Sequence, residues 1–359
     1  MPIKFRPELT DLTPYSPGKP IEDVKRELGL SQVYKMASNE NPLGCSPLVQ
    51  NAILEVSTHL NLYPDGNATD LKNAIAQRLG VKPSQVQPSS GSDEMVDQIS
   101  KTFINTGDEV IMADLTFPRY LTTTKMMGGV PIIVPLKNFT YDIEGMKNSI
   151  TEKTRLIWLC NPNNPTGTMF SEKVLFDFLE SVPKHVIIVY DEAYNEYVTN
   201  DDYPHNSISL LEKYPNIIIL RTFSKIYGLA ALRVGYTIAS EEILSNIDKI
   251  RPPFNVNSIA QAAAIAALSD QDFLKRSYDI NKEGKEYLYN CFEEMGIWYA
   301  PSEANHIFLD SGKECNEVFL ELQKKGVIIR PMFKTFIRVS IGTMEENEYF
   351  IKSLREVLS

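Results

Sequence analysis

A lysine that does chemistry needs surroundings that keep it neutral, and Lys225 has them. It lies in RTFSKIYGLAALRVGY (residues 221–236), directly after a serine, in an otherwise apolar segment and eight positions before Arg233. Partial desolvation lowers a lysine pKa and exposes the neutral amine that Schiff-base chemistry requires. Asp191 stands at the end of an apolar run in VYDEAY (189–194), where an ionised carboxylate is costly unless paired. A protonated ring nitrogen of a cofactor is one partner it could take. CNPNNPTG (160–167) has two prolines and a glycine, which fix a rigid loop able to present an asparagine amide. PSSGSDEMVDQISKTF (88–103) reads as a glycine turn entering a helix, with Ser92 and Asp93 at its start. A helix N-terminus offers backbone N–H groups and the positive end of the dipole, which suits a phosphate. Thr222, Ser224 and Arg233 could add donors to it. Each residue also has an ordinary reading: a turn, a helix cap, a surface lysine. Their order along the chain is the stronger fact. A phosphate cradle, an acidic partner for a ring nitrogen and a Schiff-base lysine together describe pyridoxal 5'-phosphate.

All four segments are expected where strands end, and short apolar runs rich in β-branched residues lead into three of them. EVIMA (109–113), VPIIVP (130–135), TRLIWLC (154–160), HVIIVY (185–190), NIIIL (216–220) and VGYTIA (234–239) read as strands. Several are apolar throughout, the pattern of strands buried on both faces of a mainly parallel sheet. Helical spacing lies between many of them, as parallel crossovers require. In such sheets the loops at the carboxyl ends of the strands form the ligand crevice. After a long helical stretch near 271–296, the tail reads strand, helix, strand, strand, helix, a smaller α+β unit. The expected organisation is α/β: an N-terminal arm (1–35) packed on the small domain, a large cofactor-binding domain (36–260) and a small C-terminal domain (261–359).

Composition bounds the function. Hydrophobic residues make up 43% of the 359 and charged residues 23%, enough for a sizeable core. The net charge of −10 argues against a nucleic-acid or anionic-membrane surface as the main partner. The four cysteines form no CxxC pair and the four histidines no HExxH spacing, so neither a structural metal nor a disulfide framework is expected. The N-terminus lacks an apolar signal core and no run reaches membrane-spanning length, so the cytoplasm is the expected compartment.

SNENPLG, YPD, GSDE, NPNNPTG, YDEAY and FSKIYGLAALRVGY together resemble the fold type I pyridoxal-phosphate aminotransferases, and most of all their histidinol-phosphate branch. The resemblance runs from about residue 10 to the C-terminus. It implies a seven-stranded type of large sheet, and it implies roles. Lys225 would be the Schiff-base lysine and proton shuttle. Asp191 would keep the pyridine nitrogen protonated, and Asn164 and Tyr194 would bond the phenolic oxygen. Ser92, Asp93, Thr222, Ser224 and Arg233 would hold the phosphate, and Phe117 would stack on the ring. Tyr63 would cross from a neighbouring subunit to the phosphate, which implies a homodimer with shared sites. Arg338 would take the substrate carboxylate. Arg330 would lie near a substrate phosphate, Tyr15 would close over the substrate, and Asn41 would sit near the carboxylate end. Three departures from the family pattern stand out: Leu115 in place of a proline, Ala231 in place of a glycine, and PSSGSDE in place of the usual lead-in to the phosphate loop.

The activity this implies is ping-pong transamination of L-histidinol phosphate with 2-oxoglutarate, in histidine biosynthesis. A phenylalanine or tyrosine aminotransferase is the near alternative. A phosphothreonine-type decarboxylase and a non-catalytic binding module are farther ones; loss of Lys225 or Asp191 would mark the last, and both are present.

Overall fold

The computed structural model describes residues 3–10, 12–14 and 18–359. Its strands, in chain order, are β1 (Tyr34–Lys35), β2 (Val86–Ser89), β3 (Glu109–Ala113), β4 (Val130–Val134), β5 (Thr154–Cys160), β6 (Ile187–Asp191), β7 (Ile217–Thr222) and β8 (Gly235–Ala239), followed by β9 (His306–Asp310), β10 (Val327–Ile328), β11 (Arg330–Phe333) and β12 (Phe336–Ser340). The large sheet has seven strands in the order β2-β8-β7-β6-β5-β3-β4. Strands β4, β3, β5, β6 and β7 run parallel. The apolar runs explain this: Leu156, Ile157, Trp158 and Leu159 of β5 and Ile217 to Leu220 of β7 are buried, so both faces are covered. Each such large side chain contributes on the order of 2 kcal/mol by leaving water.

Strand β8 is antiparallel to both β7 and β2. The reason is local. Only residues 223–234 join β7 to β8, too short and irregular a link for a helical crossover, so the chain turns back beside the strand it left. That link carries Lys225. The edge strand β2 was not evident in the sequence, because VQPS is polar and contains a proline, and prolines belong to sheet edges.

A second sheet, β11-β12-β9, is antiparallel, and β1 pairs in parallel with β10. The buried apolar residues fall in two main clusters. The first fills the large sheet and its helices. The second joins the antiparallel sheet to helices Gln271–Glu294, Cys315–Lys324 and Met344–Leu358. The expected division at residue 261 falls inside helix Ser258–Ser269, whose buried alanines belong to the first cluster. We place the division within Gln271–Glu294 instead: Leu274 packs in the first cluster, and Leu288, Cys291 and Phe292 in the second. Among the described residues no helix is long and apolar enough to cross a membrane.

Candidate active site

Strands β5, β6 and β7 end side by side at Cys160, Asp191 and Thr222, and the loops leaving them wall a cleft of about 250 Å³. Ser92, Asp93, Phe117, Asn164, Asp191, Tyr194, Thr222, Ser224, Lys225 and Arg233, drawn from five separate stretches of sequence, all line it. An adjoining space of about 210 Å³ shares Phe117, Asn164 and Lys225 and adds Arg330, Met332 and Arg338.

The cleft brings several chemistries together. At one end helix Ser92–Phe103 begins after Gly91, whose φ of +82° and lack of a side chain leave the first turn open. A Cβ there would come within 2.7 Å of Arg233 Nη2, so the glycine clears room for the guanidinium against the helix start. Arg233 also donates to Ser224 Oγ at 3.3 Å and lies 3.5 Å from an Asp93 carboxylate oxygen. Asp191 is buried and accepts a 2.6 Å hydrogen bond from the Tyr120 hydroxyl. Burial pushes its carboxyl up to about 6, even though the Tyr120 hydroxyl and the Ala193 N–H favour the anion. The Lys225 ammonium donates to the Ser38 carbonyl at 3.3 Å. Burial, reinforced by Arg338, lowers its pKa to about 8. Toward the adjoining space, Arg338 donates to Asn164 Oδ1 and to the Ala37 carbonyl, both at 2.6 Å.

This donor set fits pyridoxal phosphate. A buried carboxylate suits a protonated ring nitrogen, an uncapped helix N-terminus with Arg233 suits a dianionic phosphate, and a largely desolvated amine lines the same cleft.

Two expected residues stand apart. The Asn41 amide donates to the Ile226 carbonyl at 2.7 Å and to Ser277 Oγ at 2.9 Å, and its Oδ1 accepts from the Leu43 N–H. Its polar atoms are thus engaged in holding the 38–45 segment against the lysine loop, and it lines neither space, contrary to a substrate-facing role. Tyr63 is 83% exposed and stacks on Phe254, outside both spaces of its own chain. Tyr15 lies outside the described residues.

Sequence reasoning also missed residues. Tyr120 stacks on Trp158 with ring centroids 4.4 Å apart and fixes Asp191. Its signal was available, one helical turn after Phe117 in LTFPRY. Asn39, which lines the adjoining space, joins Tyr194 to His306, and no local pattern joins residues 267 positions apart.

The fold and the lysine-centred cleft define an aminotransferase: the family described as aminotransferase class I and II matches residues 31–354, and the chain belongs to it. Within that family it is 51% identical to a histidinol-phosphate aminotransferase of Caldicellulosiruptor saccharolyticus, over 99% of this chain and 100% of that protein. It is 49% identical to the enzyme of the same name from Moorella thermoacetica, over 99% and 93%. A crystal structure of histidinol-phosphate aminotransferase from Sinorhizobium meliloti in complex with pyridoxal-5'-phosphate superposes with a TM-score of 0.90 at 30% identity, covering 99% of this chain and 97% of that one.

Proposed function

We propose that the protein transfers the amino group of L-histidinol phosphate to 2-oxoglutarate, as a cytoplasmic homodimer serving histidine biosynthesis. The observation that carries the substrate choice is a pair of arginines. Arg330 of β11 and Arg338 of β12 are direct cross-strand partners, so both project from one face of the sheet. Both line the space that Lys225 opens into. Two neighbouring guanidinium groups suit a dianion better than a single carboxylate. L-Histidinol phosphate carries a phosphate monoester where an amino acid has its carboxylate. In the return half-reaction the same pair would take a carboxylate of 2-oxoglutarate. The kinship with enzymes of that name supports the reading. An aromatic amino acid would bring one carboxylate to two arginines.

When bound, pyridoxal phosphate supplies a conjugated ring that withdraws electrons from the donor's Cα. Ser92, Asp93, Thr222, Ser224 and Arg233 would hold its phosphate, largely through backbone N–H groups at the helix start. Asp191 would hold the ring nitrogen, Asn164 and Tyr194 the phenolic oxygen, and Phe117 the ring face. Lys225 Nζ, whose pKa burial lowers to about 8, would take the Cα proton of the donor and deliver it to the cofactor carbon that carries the amino group away. Arg338 orients the anionic group of each substrate, and the aromatic and aliphatic walls exclude water.

The test is to add L-histidinol phosphate, L-phenylalanine and L-glutamate separately to the yellow holoenzyme and record its absorbance. Loss of the visible band at far lower concentrations of histidinol phosphate than of phenylalanine is expected. The reverse order would move the assignment to aromatic amino acids, and a colourless protein indifferent to all three would end the aminotransferase reading.

A further inference from the structure

We propose that His306, acting through Asn39, fixes the direction in which Tyr194 offers its hydroxyl proton, making His306 and Asn39 positioning residues for that proton. The inference rests on the reading of Tyr194 as a donor to the cofactor's phenolic oxygen.

The number of protons available to these groups fixes where each one goes. Tyr194 is buried, and burial holds its phenol well above the ordinary tyrosine range, so it keeps its proton. Asn39 Nδ2 lies 3.0 Å from Tyr194 Oη and 3.0 Å from His306 Nδ1. Asn39 Oδ1 accepts from Ser340 Oγ at 3.1 Å. In this orientation both amide protons are spent: one goes to Tyr194, the other to His306. Tyr194 Oη therefore accepts from Asn39, and its own proton is left to point into the cleft that Tyr194 lines with Asp191 and Lys225.

The alternative is the same amide turned over. Oδ1 would then face both rings, Nδ2 would face Ser340 Oγ, and Tyr194 would donate backward to Asn39. The choice between the two depends on His306 Nδ1. A lone pair there requires an amide N–H, whereas a proton there requires the amide oxygen.

Three features place a lone pair on Nδ1. His306 is fully buried, and the ionisable groups that face it, Arg338, Lys225 and Tyr194, include two cations. Burial first and those cations second hold its pKa well below the ordinary histidine range, so the ring is neutral and carries one proton. The backbone carbonyls of Asn163 and Pro165 lie close enough to favour a proton on the ring, although no hydrogen bond of good geometry reaches Nε2. A carbonyl accepts a hydrogen bond and cannot donate one, and Nδ1 faces Asn39 whichever way that amide is turned, so Nε2 is the position for that proton. The imidazole stands edge-on to Tyr194, with centroids 5.1 Å apart, so the two rings hold each other's orientation.

Two measurements test this. Protein labelled with 15N-histidine has four imidazoles, and that of His306 is identified by its absence from the His306→Phe spectrum. The wild-type spectrum should show His306 unprotonated at Nδ1 and protonated at Nε2 throughout the neutral range. A protonated Nδ1 overturns the inference, and this arm needs no variant beyond the assignment. The second readout is the pH midpoint of the holoenzyme's visible absorbance. A phenolic oxygen that loses its donor becomes more basic and retains a shared proton to higher pH, so Tyr194→Phe should raise the midpoint by about one unit. His306→Phe should raise it in the same direction, the double variant should rise no further than Tyr194→Phe alone, and His306→Asn, whose Oδ1 can stand where Nδ1 stood, should restore it. If Tyr194→Phe shifts the midpoint and His306→Phe does not, the inference fails while the reading of Tyr194 stands. If Tyr194→Phe itself leaves the midpoint in place, the reading fails and the inference falls with it.

Discussion

Asp191 and Lys225 carry opposite charges in water and are pushed toward neutrality by the same burial. For Asp191 this has a consequence for the cofactor-free protein. Its carboxyl is raised from an ordinary 3.8 to about 6 in the folded state, so the fold binds that proton more tightly than the unfolded chain does. The stabilising contribution is complete below about pH 4 and is lost as the pH rises through about 6. Between pH 5 and 7 the loss is on the order of 1 kcal/mol. Glu196, raised by burial to about 7, acts in the same direction, so the total slope alone is uninformative. The comparison that isolates Asp191 is with Asp191→Asn. The difference between the denaturant midpoints of the cofactor-free proteins should shift in favour of Asp191→Asn as pH rises from 5 to 7, because the asparagine variant lacks this component of the decline. Parallel pH dependences in the two proteins would mean that Asp191 is not strained by its burial. The same variant should also bind pyridoxal phosphate more weakly, since it cannot supply the anion that a protonated ring nitrogen requires.

Among the elements, the irregular link 223–234 matters most, because no helix or strand holds Lys225. The link is held by contact with another loop. Gly228 has a φ of +70°, and a Cβ on it would lie 1.7 Å from the Gly44 carbonyl oxygen, while Asn41 bonds the Ile226 carbonyl. Gly228→Ala should therefore cost about 3 kcal/mol or more and disable the site. Gly80→Ala is the control: φ is +68° there, but nothing lies within 4 Å of the added carbon, so only the backbone strain of about 1 kcal/mol applies. Equal thermal shifts for the two would show that the loops are not clamped. This contact also marks the limit of the sequence. Strands β3 to β8 could be read from continuous apolar runs, and the cleft residues at their ends from proline, glycine and charge placed where such runs stop. Strand β2 could not, because an edge strand needs no apolar run. The Asn41 amide was visible as a residue but not as a strut, and the link between Asn39 and His306 depends on two segments that meet only after the small sheet has docked on the large one. Local chemistry is written locally; partners brought together by packing are not.

At the scale of the whole molecule, the placement of Tyr63 bears on how a working site is assembled. It lies outside the cleft of its own chain, 83% exposed, on a segment where Leu54, Leu60 and Leu62 are exposed as well, and it stacks on Phe254. A run of exposed apolar side chains beside a stacked aromatic pair is the kind of surface that a second copy of the chain covers. If Tyr63 reaches the phosphate end of a partner's cleft, then Lys225 and Tyr63 of one working site come from different chains. Lys225→Ala and Tyr63→Ala homodimers should both be impaired, the first abolished and the second weakened in cofactor retention. A heterodimer of the two, isolated through separate affinity tags, assembles one site from the Lys225 of one chain and the Tyr63 of the other, and its second site lacks both. It should recover about half the wild-type activity per dimer. If Tyr63 served its own chain, each site of the heterodimer would carry one defect, and mixing would recover no more than the average of the two parents. The activity of the purified heterodimer thus decides between a site completed by the partner and one that each chain builds alone.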